Sequence, residues 1–239
     1  MILERKAGLN VTEIKEQFQD VIDTISLSNE SDSIKGLLDL VEIQQVYAAA
    51  MNELSTKLEI LDDEFQVSHE RNPIHHLERR VKNPRSIIKK LESKNLPIDV
   101  KYAKKHILDI AGIRVVCNYI EDIYLIEKLL LKQSDINLIS KKDYIIEPKE
   151  NGYRSLHLTV TVPVFLSDRI LITPVEIQLR TIGMDMWASL EHSLSYKNET
   201  SVVKEECLLD LSECSNELAS IEKRMQAILK RIEEPTKKA

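Results

Sequence analysis

From Ser155 to Val164 the chain alternates without a break. Leu156, Leu158, Val160, Val162 and Val164 fall on one side, and Ser155, His157, Thr159 and Thr161 on the other. A period of two over that length is a strand with one buried and one polar face. Pro163 cannot donate to a ladder, so this end of the strand lies at an edge or a bulge. PVEIQLRT repeats the pattern, with Val175, Ile177 and Leu179 opposed to Glu176, Gln178 and Arg180. In GIRVVC, Ile113, Val115 and Cys117 oppose Arg114. If these strands pair in one sheet, one face is aliphatic and seals a core. The other carries Arg114, His157, Glu176, Gln178 and Arg180. It is either a solvated face with cross-strand ion pairs or a binding floor.

Helical patterns surround the strands. Residues 1–25 carry a weak one, and SLSNESDS at 26–33 reads as a polar linker. Apolar residues at 47, 51, 54, 58, 61 and 65 step by four and three, which is one helix with a narrow apolar stripe. Asn72-Pro73 and Asn83-Pro84 interrupt the next stretch, and Pro84 suits the first turn of a helix reaching about Lys94. Further helices are expected over 99–109, 121–132 and 183–196, and one strand or two short ones over Asn137–Ile146. Asn151-Gly152 is the signal of a tight hairpin, because both residues tolerate positive φ. From Cys207 to Ile232 the apolar residues keep a 3.5-residue period. That helix either packs on its own domain, for example on the 41–65 helix, or joins chains together. The fold class is α+β: a mixed sheet with helices at both ends of the chain. The organisation expected is an extension of unknown role (1–40), a catalytic domain (41–200) and a heptad-patterned oligomerisation helix (201–239).

Absences narrow the chemistry. The chain has five glycines and neither GxxxxGK nor GxGxxG, so any phosphate must be held by side chains rather than by a backbone loop. No His-Asp dipeptide occurs, which counts against a metal phosphohydrolase of that type. His75-His76 has no carboxylate or thiol at ligand spacing and reads as a structural or exposed pair. Cys117, Cys207 and Cys214 are an odd count without metal spacing and read as reduced, buried thiols of a cytoplasmic protein. MILERKAGLN contains no secretory h-region, and no apolar run reaches the roughly 20 residues of a membrane span.

Charge points to a local anion site. The net charge is −6, yet residues 79–94 hold seven basic residues and one acidic. The segment is either a solvated helix face or a phosphate site. Asp109 precedes the first strand of the set, so Asp109 and Glu176 can converge on one floor beneath these cations. Two carboxylates suit Mg²⁺ bridging phosphates, and the surrounding lysines and arginines suit a nucleoside triphosphate.

Four blocks in one order carry a resemblance: RRVKNPRSI (79–87), DIAGIRVVCNY (109–119), NGYRSLHL (151–158) and VEIQLRT (175–181), followed by MDMWASLEHSLSYK (184–197). Together they resemble the (p)ppGpp synthetase domain of the RelA/SpoT homologue superfamily. Lacking hydrolase and regulatory domains, the chain is most similar to the single-domain small alarmone synthetases, over about 41–230. The resemblance implies a fold related to nucleotidyltransferases and transfer of pyrophosphate from ATP to the 3′-OH of GDP or GTP. It implies that Arg80 and Arg114 sandwich the adenine, that Lys82 and Lys90 hold ATP phosphates, and that Asp109 ligates Mg²⁺. Glu176 would orient or deprotonate the acceptor hydroxyl and can also touch the metal. Tyr153 would stack on guanine, His157 would approach the acceptor, Lys142 and Lys149 would bind its 5′-phosphates, and Gln178 would shape its site. Arg154 is open between a site role and a structural ion pair.

Departures accompany the match. Ser140 stands where many relatives open an R-x-K-D motif with arginine, in a loop that helps set acceptor preference. Asp185 and the segment from His75 to Glu78 differ from relatives activated by their own product. A homotetramer is implied as well, and an RNA regulator is a further candidate partner. The alternative function is a silent nucleotide- or RNA-binding module of the same fold. A nucleotidyltransferase acting on nucleic acid is disfavoured by the acidic net charge and the 5% aromatic content.

Overall fold

A computed structural model describes residues 30–197 and 201–233. In chain order the elements are α1 (Glu30–Ser68), β1 (Ile74–Val81), α2 (Pro84–Ser93), α3 (Val100–His106), β2 (Ala111–Cys117), α4 (Ile120–Leu131), β3 (Asn137–Asp143), β4 (Leu156–Phe165), β5 (Ile170–Thr181), α5 (Ile182–Lys197) and α6 (Ser201–Glu233). The five strands form one sheet in the order β1-β2-β5-β4-β3. β2 and β5 run parallel, and the other pairs are antiparallel. The sheet is therefore mixed, as expected.

The alternating pattern does what it predicts. Leu156, Leu158, Val160, Val162, Val175, Ile177, Leu179, Ile113 and Val115 are all buried in one core. The α1 stripe lies in the same core through Tyr47, Leu54, Leu58 and Phe65, and α4 joins it through Ile123, Ile126 and Leu130. Pro163 pairs with β5 only, beyond the end of the β3 ladder, which is where a residue without an N–H does no harm. Asn83 caps α2 by accepting from the Ser86 amide, with Pro84 in its first turn.

Several expectations are corrected. The polar stretch read as a linker is helical from Glu30 onward, and the weak helix of residues 1–25 lies outside the described residues. Residues 74–81 form a strand that the sequence did not suggest. IHHLERRV has no apolar alternation because β1 is an edge strand, paired only with β2 and mostly exposed. The third helix stops at His106, not at 109. Asp99 caps its start, and at Ile107 the backbone turns extended (φ −116°, ψ 94°). That early exit frees Asp109 to sit at the edge of the sheet. Asn151-Gly152 does not make a tight turn between strands, since residues 144–155 separate β3 from β4. Of the two, Gly152 alone has positive φ, at 90°. Cys214 is exposed, and Cys117 is the deeply buried thiol, its pKa pushed up by burial.

Candidate active site

Register assembles the polar face into two rows across the sheet. One row reads Glu78, Arg114, Gln178, His157, Lys142 on β1-β2-β5-β4-β3. The next reads Arg80, Gly112, Glu176, Thr159, Ser140. Sequence alone could not establish that β2, β5 and β4 are neighbours; the ladder makes them so. Glu176 thus lies mid-sheet, flanked by a glycine and a threonine that leave the floor open.

Two clefts of about 370 Å³ each meet on this floor. Arg80, Lys82, Arg114 and Gln178 line the first, together with Glu78. Lys90, Lys142, Lys149 and His157 line the second, with Ser140 and Thr159. Asp109 and Glu176 are the residues common to both. Gln178, expected in the acceptor site, lines the first cleft and reaches Glu176, its Nε2 donating to Oε2 at 2.9 Å. Lys90 faces the second cleft as well as Asp109.

Asp109 is held by two ammonium groups. Lys82 Nζ donates to its Oδ2 and its backbone oxygen, both at 2.9 Å, and Lys90 Nζ also donates to Oδ2. Burial alone would raise the Asp109 pKa, but these lysines outweigh it and hold the carboxyl below the usual range. Oδ1 is buried and accepts no hydrogen bond. A buried acceptor without a partner is costly unless a ligand completes it. Glu176 follows the same balance. Burial raises its pKa, while His157 (Nδ1 at 3.6 Å) and the Gln178 amide outweigh that and bring it below its ordinary value. Both carboxylates are therefore ionised at neutral pH. An unpaired buried oxygen beside a second carboxylate is a hard oxygen-donor set, and it fits Mg²⁺.

Tyr153, expected to stack on guanine, does not itself line the second cleft but stands behind three residues that do, Tyr144, Lys149 and His157. Its hydroxyl lies 2.8 Å from His157 Nε2 and accepts from Arg180 Nη2 at 2.6 Å. Lys149 Nζ sits over the rings of Tyr144 (4.9 Å) and Tyr153 (4.8 Å). The loop bearing Tyr153 is pinned to α6. Ser215 Oγ donates to the Gly152 carbonyl at 2.5 Å, and a Cβ on Gly152 would lie 2.9 Å from Ser212 Cα. Arg154 donates to the Ile145 carbonyl at 3.1 Å and to Asn216 Oδ1 at 3.0 Å, and among the described residues it has no carboxylate within ion-pair distance. It anchors the loop.

Sequence reasoning overlooked Gly112, Thr159, Lys94 and His106 as lining residues. Gly112 and Thr159 follow only once the register is known, since each is opposite Glu176 on a neighbouring strand. Spacing also missed that His76, Glu78 and Asp185 bring ligand atoms within 4.8 Å of one another. Both of those carboxylates already hold Arg114, Glu78 Oε2 at 2.7 Å and Asp185 Oδ1 at 3.3 Å.

In sequence and in fold the chain is similar to proteins of one family. A family model described as "Region found in RelA / SpoT proteins" matches residues 79–201. GTP pyrophosphokinase YwaC of Bacillus subtilis (strain 168) is 43% identical over 189 residues, covering 79% of this chain and 89% of that protein. The crystal structure of small alarmone synthetase 2 from Bacillus subtilis superposes with a TM-score of 0.70 at 39% identity, over 79% of this chain and 97% of that one. That of small alarmone synthetase 1 from the same organism, bound to its product pppGpp, gives 0.73 at 32%, over 80% and 96%.

Proposed function

Because the chain belongs to the RelA/SpoT family and matches small alarmone synthetases over most of its length, we propose that it is a GTP pyrophosphokinase. It transfers the β,γ-pyrophosphate of ATP to the 3′-OH of GDP or GTP, making (p)ppGpp for the stringent response. The observation that carries this reading is the pair of basic clefts sharing Asp109 and Glu176. A bisubstrate transfer needs two anionic nucleotides to meet end to end over one acidic point, and this floor supplies that layout.

ATP occupies the first cleft. Arg80 and Arg114 stand diagonally on paired strands, about 7–8 Å apart at the backbone. That is about twice a stacking contact, so one purine fits between two guanidinium planes. Lys82 and Lys90 move from Asp109 to the triphosphate. The acceptor occupies the second cleft, with Lys142 and Lys149 on its 5′-phosphates and guanine on Tyr153, where Lys149 gives up the ring face. Asp109 and Glu176 would hold Mg²⁺, which would supply charge neutralisation for the transferring phosphates.

In the reaction the acceptor 3′-oxygen bonds to Pβ. The bond from Pβ to the oxygen bridging Pα breaks, and AMP departs with that oxygen. The 3′-hydroxyl proton passes to Glu176 and on to solvent. With its lowered pKa, Glu176 is a weak base in the ground state, so it acts chiefly by aiming the hydroxyl and taking the proton as charge develops. These substrates put the reaction in the cytoplasm. No helix among the described residues is long and apolar enough to cross a membrane.

The test is to incubate purified protein with Mg²⁺, ATP and either GDP or GTP, and to resolve the nucleotides by anion exchange. AMP together with a more anionic guanosine nucleotide is expected. Tight nucleotide binding without transfer would leave a binding module in place of an enzyme.

A further inference from the structure

Asp185 and Arg180 belong to neither substrate's expected contacts, yet they join the two halves of the site. Arg180 extends from β5 two residues beyond Gln178, opposite Val116, and its side chain is 6% exposed. A guanidinium that deep needs an anion. Asp185, in the first turn of α5, provides it: Oδ1 accepts from Arg180 Nη1 at 3.1 Å. The other end of the Arg180 fork serves the acceptor side. Nη2 donates to the Tyr153 hydroxyl at 2.6 Å and to Gln178 Oε1 at 3.0 Å. Gln178 in turn donates to Glu176. With Arg180 donating to its oxygen, the Tyr153 hydroxyl has its own hydrogen for His157 Nε2. That leaves Nδ1 of the ring to carry a hydrogen toward Glu176. On the donor side the same Asp185 Oδ1 lies 3.3 Å from Arg114 Nη1.

We infer that Asp185, acting through Arg180, is a positioning residue that couples ATP binding to guanine-nucleotide binding. The inference rests on the pyrophosphokinase reading for the identity of the two ligands. One carboxylate oxygen is shared by the arginine that stacks on adenine and the arginine that orients Tyr153 and Gln178. Adenine on Arg114 fixes that guanidinium, which fixes Asp185, which holds the Arg180 fork in the geometry that presents Tyr153. The coupling is therefore positive, and reciprocity requires each nucleotide to tighten the other by the same factor. Glu78 holds the same Arg114 Nη1, at 2.7 Å, whereas the Arg180 fork bonds to Asp185, Tyr153 and Gln178. Glu78 serves as the control for a purely donor-side effect.

The experiment is calorimetry of the full chain in Mg²⁺, using GDP and an ATP analogue with a methylene group in place of the Pα–Pβ bridging oxygen, each alone and in the presence of the other. In the wild type the analogue should tighten GDP by at least threefold, and GDP should tighten the analogue equally. Asp185→Asn should weaken each nucleotide alone by about tenfold and bring the coupling factor close to one. In steady state it should raise KM for both substrates. Glu78→Gln should weaken only the analogue and retain the coupling. Arg180→Lys keeps the charge but not the fork, and should weaken GDP while changing the analogue by less than twofold. Asp185→Glu restores the charge and should recover part of the coupling. It also carries the test if the asparagine variant does not fold. An Asp185→Asn protein that weakens only one nucleotide, or keeps wild-type coupling, overturns the inference. If the wild type makes no AMP from ATP and GDP, the pyrophosphokinase reading itself falls.

Discussion

At the scale of single residues the account rests on Glu176 and Tyr153. Glu176→Gln keeps shape and the Gln178 contact but removes the charge that aims the acceptor hydroxyl. It should lower kcat by about 10²–10⁴-fold, the usual worth of a positioned acid or base, while ATP-analogue affinity stays within a few fold. Tyr153 separates two roles. Tyr153→Ala should weaken the acceptor by about 1–3 kcal/mol if the ring stacks on guanine. Tyr153→Phe keeps the ring and loses the bonds to His157 and Arg180 that orient it, so it should raise acceptor KM as Arg180→Lys does, but by less than Tyr153→Ala. Steady-state kinetics of both variants distinguishes these roles. Asp109 links the site to stability. Its native pKa lies below its unfolded value, so its contribution is fully present above about pH 4 and is lost as pH falls through the native value. Urea titrations between pH 5 and 3 should show Asp109→Asn with a flatter acid loss than the wild type. Asp109, Glu176 and the arginines were readable because their types and order are distinctive. The Asp185–Arg180 link was not, because an ion pair between a strand and the following helix depends on where α5 turns.

Elements were legible in proportion to how strongly burial patterns them. β4 and β5 have one face in the core, so their alternation survives in the sequence. β1 has almost no buried face, and its polar residues face solvent or the first cleft instead of packing, so nothing in its composition marks a strand. Its place was knowable only from pairing with β2. The same pairing explains Gly112. It lies between Arg80 and Glu176, and a Cβ there would meet only the Arg80 and Glu176 backbone oxygens at 3.9 Å. The backbone tolerates a side chain, but one at this position would take up room in the first cleft, where ATP is proposed to bind. Gly112→Val should leave the melting temperature within a few degrees of wild type and weaken ATP at least tenfold. Calorimetry with the ATP analogue and a thermal melt check both halves of that statement. The β3–β4 loop went unread for a different reason: its own turn bonds, such as the Tyr153 amide to Asn151 Oδ1, are joined by anchors from α6, Ser215 and Asn216, that lie far away in the sequence.

At the scale of the whole molecule, α6 packs on its own domain with a different face from the one its heptad pattern suggests. Ser215 and Ala219 are buried against the domain, and the helix packs mainly on α4 and α5. Ile221, Met225, Ile228 and Ile232 are left exposed on one stripe. A 3.5-residue apolar stripe that its own domain does not cover is suited to a helix from a second copy, so we expect a homo-oligomer, a tetramer by family resemblance. Met225→Lys combined with Ile228→Lys should shift the protein to a smaller species in size-exclusion chromatography with light scattering. An unchanged mass would remove α6 from the interface. The central claim, however, is chemical. ATP labelled in turn at the α and β phosphates, mixed with excess enzyme and GDP in a single turnover, tests it most directly. The α label should end in AMP and the β label in a 3′-substituted guanosine nucleotide, in equal amounts. Label in ADP, or in free pyrophosphate with the guanosine nucleotide unlabelled, would contradict it.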